Sequence, residues 1–377
     1  MHIELSPRQD EARSAFRGFV KEHIAPHADR WDREGALDPE CIGALRQAGY
    51  LGAMAPAELG GGGMDAITYG LLTEEIGRGC SSVRSLLTVH DMITLTVGRW
   101  ASEAARERWH AALARAEKLG ALALSEPEIG SDAAGVQTTA RRDGDAYILN
   151  GRKKWITFGQ IADLFLAFAQ VDGKVAAFLV PADAPGFERQ PISDVVGTRA
   201  SHLAELRFED CRIPADQLVG RVGFGFSHIA STALDHGRYS VAWGAVGIAQ
   251  ACLDATLDYT QARHQFGARL AEHQLVQRKL TEMIANTRAA RLLCYRAGHL
   301  RAQGDPSSVG ETMIAKYFAS RTATRSANDA VQLHGANGLS EQYPLMRYLR
   351  DARVTEIIEG STQIQQITIP RFPLAEL

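Results

Sequence analysis

Asp143-Gly144-Asp145-Ala146-Tyr147-Ile148-Leu149-Asn150-Gly151 lies in the part of this chain, from about Gly120 on, where the hydrophobic pattern changes from helical to alternating. Asp-Gly and Asn-Gly suit tight hairpin turns, because the central positions need positive φ, which glycine adopts freely and aspartate or asparagine tolerates. A third pair, Asp172-Gly173, follows the apolar run from Leu164 to Val171. Around these pairs Ala146 to Leu149, Lys153 to Thr157, Leu164 to Val171, Val175 to Val180 and Ala204 to Phe208 read as strands. The middle of the chain is expected to be an antiparallel β domain forming a small barrel.

Outward from this stretch, both flanks carry helical periodicity. Ser6 before Pro7, with Gln9 three residues on, has the form of a capping box. Ala12, Ala15, Phe16, Phe19, Val20 and Ile24 then recur at helical spacing up to Pro26. Further helices are predicted over 39–48, 65–77, 81–100 and 103–119. The Gly-rich run 57–64 has no strand before it and no Gly-Lys-Ser after it, so it reads as a plain loop. On the C-terminal flank Leu280, Met283, Ile284, Thr287, Leu293, Ala297 and Leu300 mark a long helix that Gly304-Asp305-Pro306 stops. Met313, Tyr317, Thr324, Ala327 and Val331 mark the next, and four long helices make a bundle. The expected fold class is α+β: an N-terminal α-helical domain over 1–119, a middle β domain over 120–226 and a four-helix bundle over 227–377.

The length of 377 residues exceeds one ordinary core, in keeping with several domains. A net charge of −3 without a basic block carries no footprint for nucleic acid or a membrane surface. The 5 cysteines are scattered and include no Cys-x-x-Cys pair, which points to a reducing compartment and no zinc site. The opening Met-His-Ile-Glu-Leu-Ser-Pro lacks a basic-then-apolar signal pattern, and no run reads as a membrane span, so a cytoplasmic location is expected.

Chemistry is concentrated in Ile357-Ile358-Glu359-Gly360-Ser361-Thr362-Gln363-Ile364-Gln365. If Glu359 is buried against Ile357 and Ile358, its charged form is disfavoured and its pKa rises toward neutrality, as a general base requires. Gly360 leaves backbone room for a ligand. The competing reading is a helix that ends at Gly360 with a solvated Glu359 in its last turn. Ala123-Leu124-Ser125-Glu126-Pro127-Glu128-Ile129-Gly130-Ser131-Asp132-Ala133-Ala134-Gly135 leaves a strand for a turn rich in hydroxyls and acids. It suits a polar cofactor or is simply a turn. Trp155-Ile156-Thr157 offers a flat apolar face beside a hydroxyl, or a core tryptophan.

Together these motifs resemble the acyl-CoA dehydrogenases, and the order helices, β domain, bundle extends the resemblance over essentially the whole chain. It implies that Glu359 removes the α-proton of an acyl thioester while FAD takes the β-hydrogen as hydride. It further implies that Ala123, Leu124, Ser125 and Ser131 line the FAD, with Ser131 also touching the pantetheine, and that Trp155, Ile156 and Thr157 flank the isoalloxazine. Within Asp235-His236-Gly237-Arg238, Asp235 and Arg238 would contact the pantetheine or nucleotide part of the substrate, with Gly360 beside it. One branch places its catalytic glutamate where this chain has Gly237, which leaves Glu359 as the base. Arg263, Phe266 and Gln274, with Gln332, Leu333, Gly335 and Ala336, would reach the FAD of a neighbouring subunit in a homotetramer built as a dimer of dimers. Ser361 and Gln363 would close the cofactor site. Ile129, Phe158 and Ala336 depart from the family pattern.

The resemblance also places the segment Cys80 to Met92 at the acyl end of the pocket. Arg84, Thr88 and His90 make it more polar than a fatty-acyl tunnel tolerates, unless Arg84 points to solvent. With Ser240-Val241-Ala242-Trp243-Gly244, the chain looks like the branch that oxidises short polar acyl groups on an acyl carrier protein in polyketide and peptide biosynthesis, including makers of hydroxymalonyl-type extender units. A short-chain acyl-CoA is the second expectation. An electron-transfer flavoprotein is the expected electron acceptor. A flavin monooxygenase or oxidase, or a non-catalytic module, would have no reason to keep Glu359-Gly360 beside the cofactor motifs.

Overall fold

The computed structural model describes residues 4–372, so the opening Met1-His2-Ile3 and the last five residues lie outside it. The N-terminal helices are α1 (Pro7–His23), α2 (Ala28–Glu34), α3 (Pro39–Gln47), α4 (Ala66–Gly79), α5 (Ser81–Trp100) and α6 (Glu103–Ala114). Ser6 and Gln9 form the expected capping box on α1. The last predicted helix stops five residues early, at Ala114, where Ala116 takes a positive φ of 50°. The Gly-rich run folds as a loop around one short 3₁₀ turn.

Eight strands form the middle region: β1 (Gly120–Ala123), β2 (Thr139–Asp143), β3 (Ala146–Ile156), β4 (Leu164–Val171), β5 (Lys174–Pro181), β6 (Phe187–Pro191), β7 (Ala204–Pro214) and β8 (Leu218–Val219). Asp143-Gly144 and Asp172-Gly173 turn the β2–β3 and β4–β5 hairpins as expected. Asn150-Gly151 does not turn the chain. It is a bulge inside the single long strand β3, with Gly151 at φ 148° and a register shift against β7. The sheet is mixed and not wholly antiparallel, since β1 runs parallel to β4. Its path β6-β7-β3-β2-β4-β5-β8 curls over itself, for Phe165 on β4 and Phe187 on β6 stack at 4.9 Å although three strands separate them in hydrogen-bonding order. Among the described residues no ladder joins β6 to β8, so the curl stops short of a hydrogen-bonded barrel.

The chain then enters α7 (Ser231–Ala262) through a π-helical turn, makes the small hairpin β9 (His264–Gln265) and β10 (Ala268–Arg269), and continues as α8 (Gln274–Ala302), α9 (Ser308–His334), α10 (Leu345–Thr355) and α11 (Thr362–Thr368). Three helices are long and α10 is shorter. The segment 225–262 is long and apolar enough to cross a membrane, a feature the strand-and-turn reading overlooked, but 78% of its apolar window is buried within the molecule. It is the central rod of the core, packed on α4, α5, α8 and α9.

The β region docks on the helices through a buried contact in which the Thr198 amide donates to Asp351 on α10 at 2.6 Å. Arg350, next in the chain, forms an ion pair with Asp32 of α2. These contacts fix α10, and with it the turn that follows, against both other regions.

Candidate active site

α10 ends at Thr355, and the amides of Ile357 and Ile358 both bond back to the Val354 carbonyl, at 2.9 and 3.1 Å. Glu359 lies beyond the helix at φ 55°, followed by Gly360 at 88°. Two successive left-handed residues reverse the chain, and Ser361 then caps α11 by accepting from the Ile364 amide. Glu359 is thus in no helical turn. Nor does Ile357 bury it, being 57% exposed itself.

What encloses Glu359 comes from other helices. Its backbone carbonyl accepts from Arg238 Nε of α7 at 3.0 Å, and the next carbonyl, that of Gly360, accepts from Lys316 Nζ of α9 at 2.7 Å. Gln365 Nε2 reaches both carbonyls, at 3.3 and 3.1 Å. The carboxyl group points at Gly237 on α7, where a Cβ would lie 2.6 Å from the carboxyl carbon. The residue as a whole is partly buried, but Oε2 is sealed from solvent and has no hydrogen-bond partner among the described residues. Burial pushes Glu359 up to about 7, against the pull of Arg238, Arg84 and Lys316 toward lower values. A carboxylate so poised takes and gives protons near neutrality.

Arg84 does not point to solvent. It is 1% exposed on α5, and donates to Thr88 Oγ1 at 3.1 Å. Thr88 shares a 2.6 Å hydrogen bond with Ser240 of α7, three residues beyond Gly237. The buried Arg347 and the half-buried Arg291, Arg301 and Arg350 each meet a carboxylate, on Asp29, Glu74, Asp235 and Asp32. Among the described residues Arg84 meets only hydroxyls, and of the acidic groups around it Glu359 acts on it most strongly. His90 is not in this group: it bonds the Leu113 carbonyl and the Gly120 amide, pinning α5 to β1. Asp235 forms an ion pair with Arg301 at 2.6 Å, and His236, pushed down to about 3 by burial, bonds the Tyr69 hydroxyl at 3.0 Å.

A second group gathers at the ends of β1 and β3. The Lys154 amide donates to the Ser125 carbonyl at 2.9 Å, and the buried Lys153 reaches the Leu124 carbonyl at 3.2 Å and Glu126 at 2.7 Å. These bonds set Leu124 and Ser125 beside Trp155, Ile156 and Thr157. Trp155 is not a core residue: it is 50% exposed and left-handed at φ 63°. Ala123 and Ile156 are buried, Thr157 is half-buried and Ser131 is exposed in the turn.

A third group lies at the other end of α7. Arg263 leads into the hairpin whose tip carries Phe266, 97% exposed, and Gln274 begins α8. Tyr259 ties this end to the end of α9, stacking on His334 at 4.0 Å, so Gln332, Leu333, Gly335 and Ala336 sit near Arg263. From Gly237 to Arg263 the helix rises about 39 Å at 1.5 Å per residue. The structure therefore gathers Glu359, Gly360, Arg238, Arg84 and Thr88 in one place and holds the Arg263 and Gln332 group far from it. Gln363 is exposed on α11, two residues after the cap.

Sequence reasoning missed Lys316 and Tyr69 as parts of the site, and took Ser240 only within the segment that marks a branch of the family. One signal was available for Lys316: it follows Met313 by three residues, on the same apolar stripe of its helix.

Models of the N-terminal, middle and C-terminal domains of acyl-CoA dehydrogenase match residues 6–117, 121–211 and 223–372. The chain is 39% identical over 373 residues to the mitochondrial short-chain specific acyl-CoA dehydrogenase of Rattus norvegicus, spanning 97% of this chain and 90% of that one. It superposes on butyryl-CoA dehydrogenase from Megasphaera elsdenii with a TM-score of 0.94 and 35% identity, over 98% of this chain and 99% of the other. FkbI, described as acting in biosynthesis of the methoxymalonyl extender unit of Fk520, superposes with a TM-score of 0.87 and 32% identity, over 96% and 98% of the two chains.

Proposed function

The chain is a member of the acyl-CoA dehydrogenase family, a flavoprotein oxidoreductase, and we propose that Glu359 is the base with which it dehydrogenates a short polar acyl group held as a thioester on an acyl carrier protein. The family is FAD-dependent, and the residues here fit a flavin. A half-exposed indole held at φ 63° costs of order 1–3 kcal/mol in backbone strain; Lys154 Nζ lies over one of its faces, 4.9 Å from the ring centroid, and Thr157 follows two residues on. Ala123 to Ser125, Ser131 and Trp155 to Thr157 would hold that group, with Ser361 and Gln363 closing on it from beyond the base. When bound, FAD supplies the acceptor for the β-hydrogen, as hydride.

The rest of the chemistry belongs to the chain. Glu359 takes the α-proton on a carboxyl group whose Oε2 has no hydrogen-bond partner among the described residues. Its backbone N–H donates to the thioester carbonyl, which acidifies the Cα–H as an oxyanion hole does. Arg238 contributes by holding the Glu359 carbonyl, with Asp235 anchored to Arg301 behind it.

Arg84 carries the substrate reading. A buried guanidinium with only hydroxyl partners is expensive against an alkyl chain and favourable against polar oxygen. Thr88 and Ser240 add two hydroxyls to the same wall. Similarity to FkbI, of methoxymalonyl extender-unit biosynthesis, supports a polar acyl substrate; similarity to the short-chain and butyryl-CoA enzymes supports a short-chain acyl-CoA as the second reading. Stopped-flow flavin reduction by butyryl-CoA and by glyceryl and related hydroxyacyl carrier proteins decides between them. The carrier-bound polar groups are expected to reduce the flavin fastest, with bleaching and no oxygen uptake. Fast reduction by butyryl-CoA, with none by any carrier-bound polar group, would reverse the order of the two substrates. Rapid oxygen uptake would point to an oxidase. An electron-transfer flavoprotein is the proposed acceptor, and the cytoplasm the proposed location.

The span of about 39 Å between Gly237 and Arg263 bears on assembly. Arg263, Phe266, Gln274 and the turn 332–336 lie far along α7 from Glu359, which supports the role the family resemblance implies for them, contact with a neighbouring subunit's FAD in a homotetramer. Purified protein is expected to be yellow and tetrameric, and Arg263→Ala to lose FAD on dilution. Sedimentation showing a monomer with stoichiometric FAD would exclude this arrangement.

A further inference from the structure

Lys316 stands out among the buried cations of the chain. It is 0% exposed on α9, yet no carboxylate lies within ion-pair distance of its Nζ among the described residues. Lys153, equally buried, has Glu126 at 2.7 Å. Lys316 spends its charge on one backbone carbonyl, that of Gly360. Burying an ammonium against a single neutral acceptor is costly, and a methionine would fill the same space more cheaply.

The cost makes sense if the turn it grips matters more than the helix that carries it. Glu359 and Gly360 are both left-handed, and a glutamate at φ 55° stays there only when its surroundings hold it. Arg238 grips the first carbonyl, Lys316 the second, and Gln365 reaches across both. All three donate to backbone oxygens, so the carboxylate is surrounded by positive charge yet left without a hydrogen bond on Oε2. We infer that Lys316 is a positioning residue for the base, locking the Glu359-Gly360 turn by its bond to the Gly360 carbonyl and supplying part of the field in which the carboxylate works. The inference rests on the reading of Glu359 as the base.

The sign of its effect follows from the groups around Glu359. Arg84 faces it from α5, Arg238 from α7 and Lys316 from α9, and all three favour its ionised form. Glu356, at the end of α10, is paired with Arg353, and Asp235 with Arg301. Burial brings Lys316 itself down to about 8, so it is still cationic where Glu359 titrates. Removing it leaves two cations in place of three, and the base becomes harder to ionise.

The test compares flavin reduction across pH 6 to 9 in FAD-loaded wild type, Lys316→Met, Lys316→Gln and Lys316→Arg, with Glu359→Gln as control, using butyryl-CoA or the carrier-bound thioester that wins the survey above. In wild type the rate is expected to rise with pH through about 7, where Glu359 ionises. In Lys316→Met that rise should move up by about one pH unit, and the limiting rate should fall roughly 10- to 100-fold. Lys316→Gln keeps a donor without a charge, so it should shift the rise and lose less of the limiting rate. Lys316→Arg should restore the wild-type pH dependence. An unshifted rise in both neutral variants overturns the inference whatever their rates. So does failure of both to fold, which would make Lys316 a structural residue only. A fast Glu359→Gln control removes the base reading instead, so the two failures are distinguishable.

Discussion

Glu359→Gln is expected to slow flavin reduction by a thioester at least about 10²–10⁴-fold, the range for loss of a general base, while the protein stays yellow and folded. Glutamine has nearly the same shape, so the contact with Gly237 and the backbone bonds from Arg238, Lys316 and Gln365 persist. What is lost is the ability to accept a proton. The exchange also removes a charge from a site where burial resists it, so thermal stability is not expected to fall at pH 8, where the wild-type carboxylate is ionised. Single-turnover stopped flow together with a thermal melt at that pH checks both halves. Near-wild-type reduction would place the base on another residue.

Gly237→Ala should be nearly as damaging by a different route. A methyl group there would sit 2.6 Å from the Glu359 carboxyl carbon, inside any allowed contact. The obstacle is the end of a flexible side chain, so the fold can yield at little cost, and it yields by moving the base. Misplacement by about 1 Å is enough for roughly a 10²-fold loss. Stability should hold or rise, since alanine is favoured over glycine inside a helix by about 0.5–1 kcal/mol. The expected signature is a fall in the rate of flavin reduction with an unchanged or higher melting temperature. Unaltered reduction would mean that Glu359 has room to spare, and its tight seat against α7 would carry no catalytic weight.

The division into helices, sheet and helices was legible because period-2 and period-3.6 patterns differ over tens of residues, and Asp143-Gly144 and Asp172-Gly173 named their own turns. Asn150-Gly151 misled because the dipeptide reports a preference for positive φ, which a bulge uses as readily as a hairpin does. The parallel pairing of β1 escaped notice: the strand is legible ahead of the turn that follows Ala123, but four residues with little β-branching do not name a partner, and β4 is some forty positions away. Glu359 could be singled out by its motif. The source of its burial could not, since Gly237, Arg84 and Lys316 come from three different helices and local apolarity pointed to Ile357, which faces outward. The exposure of Trp155 was hidden for a related reason. An indole usually reports a core, and only the left-handed backbone at that residue turns it out.

The left-handed glutamate has a meaning for the lineage as well as for the reaction. At φ 55°, with a carboxyl group sealed against α7, residue 359 opposes folding, and asparagine or glycine there would relieve the backbone and remove the charge. Mutation supplies such replacements continually, and by heat tolerance alone they would spread. A duplicated copy freed from its metabolic duty should therefore drift toward a sturdier, silent protein by losing this one residue. With Glu359 as the proposed base, selection for turnover, renewed each generation, keeps the working enzyme less robust than its inactive descendants would be.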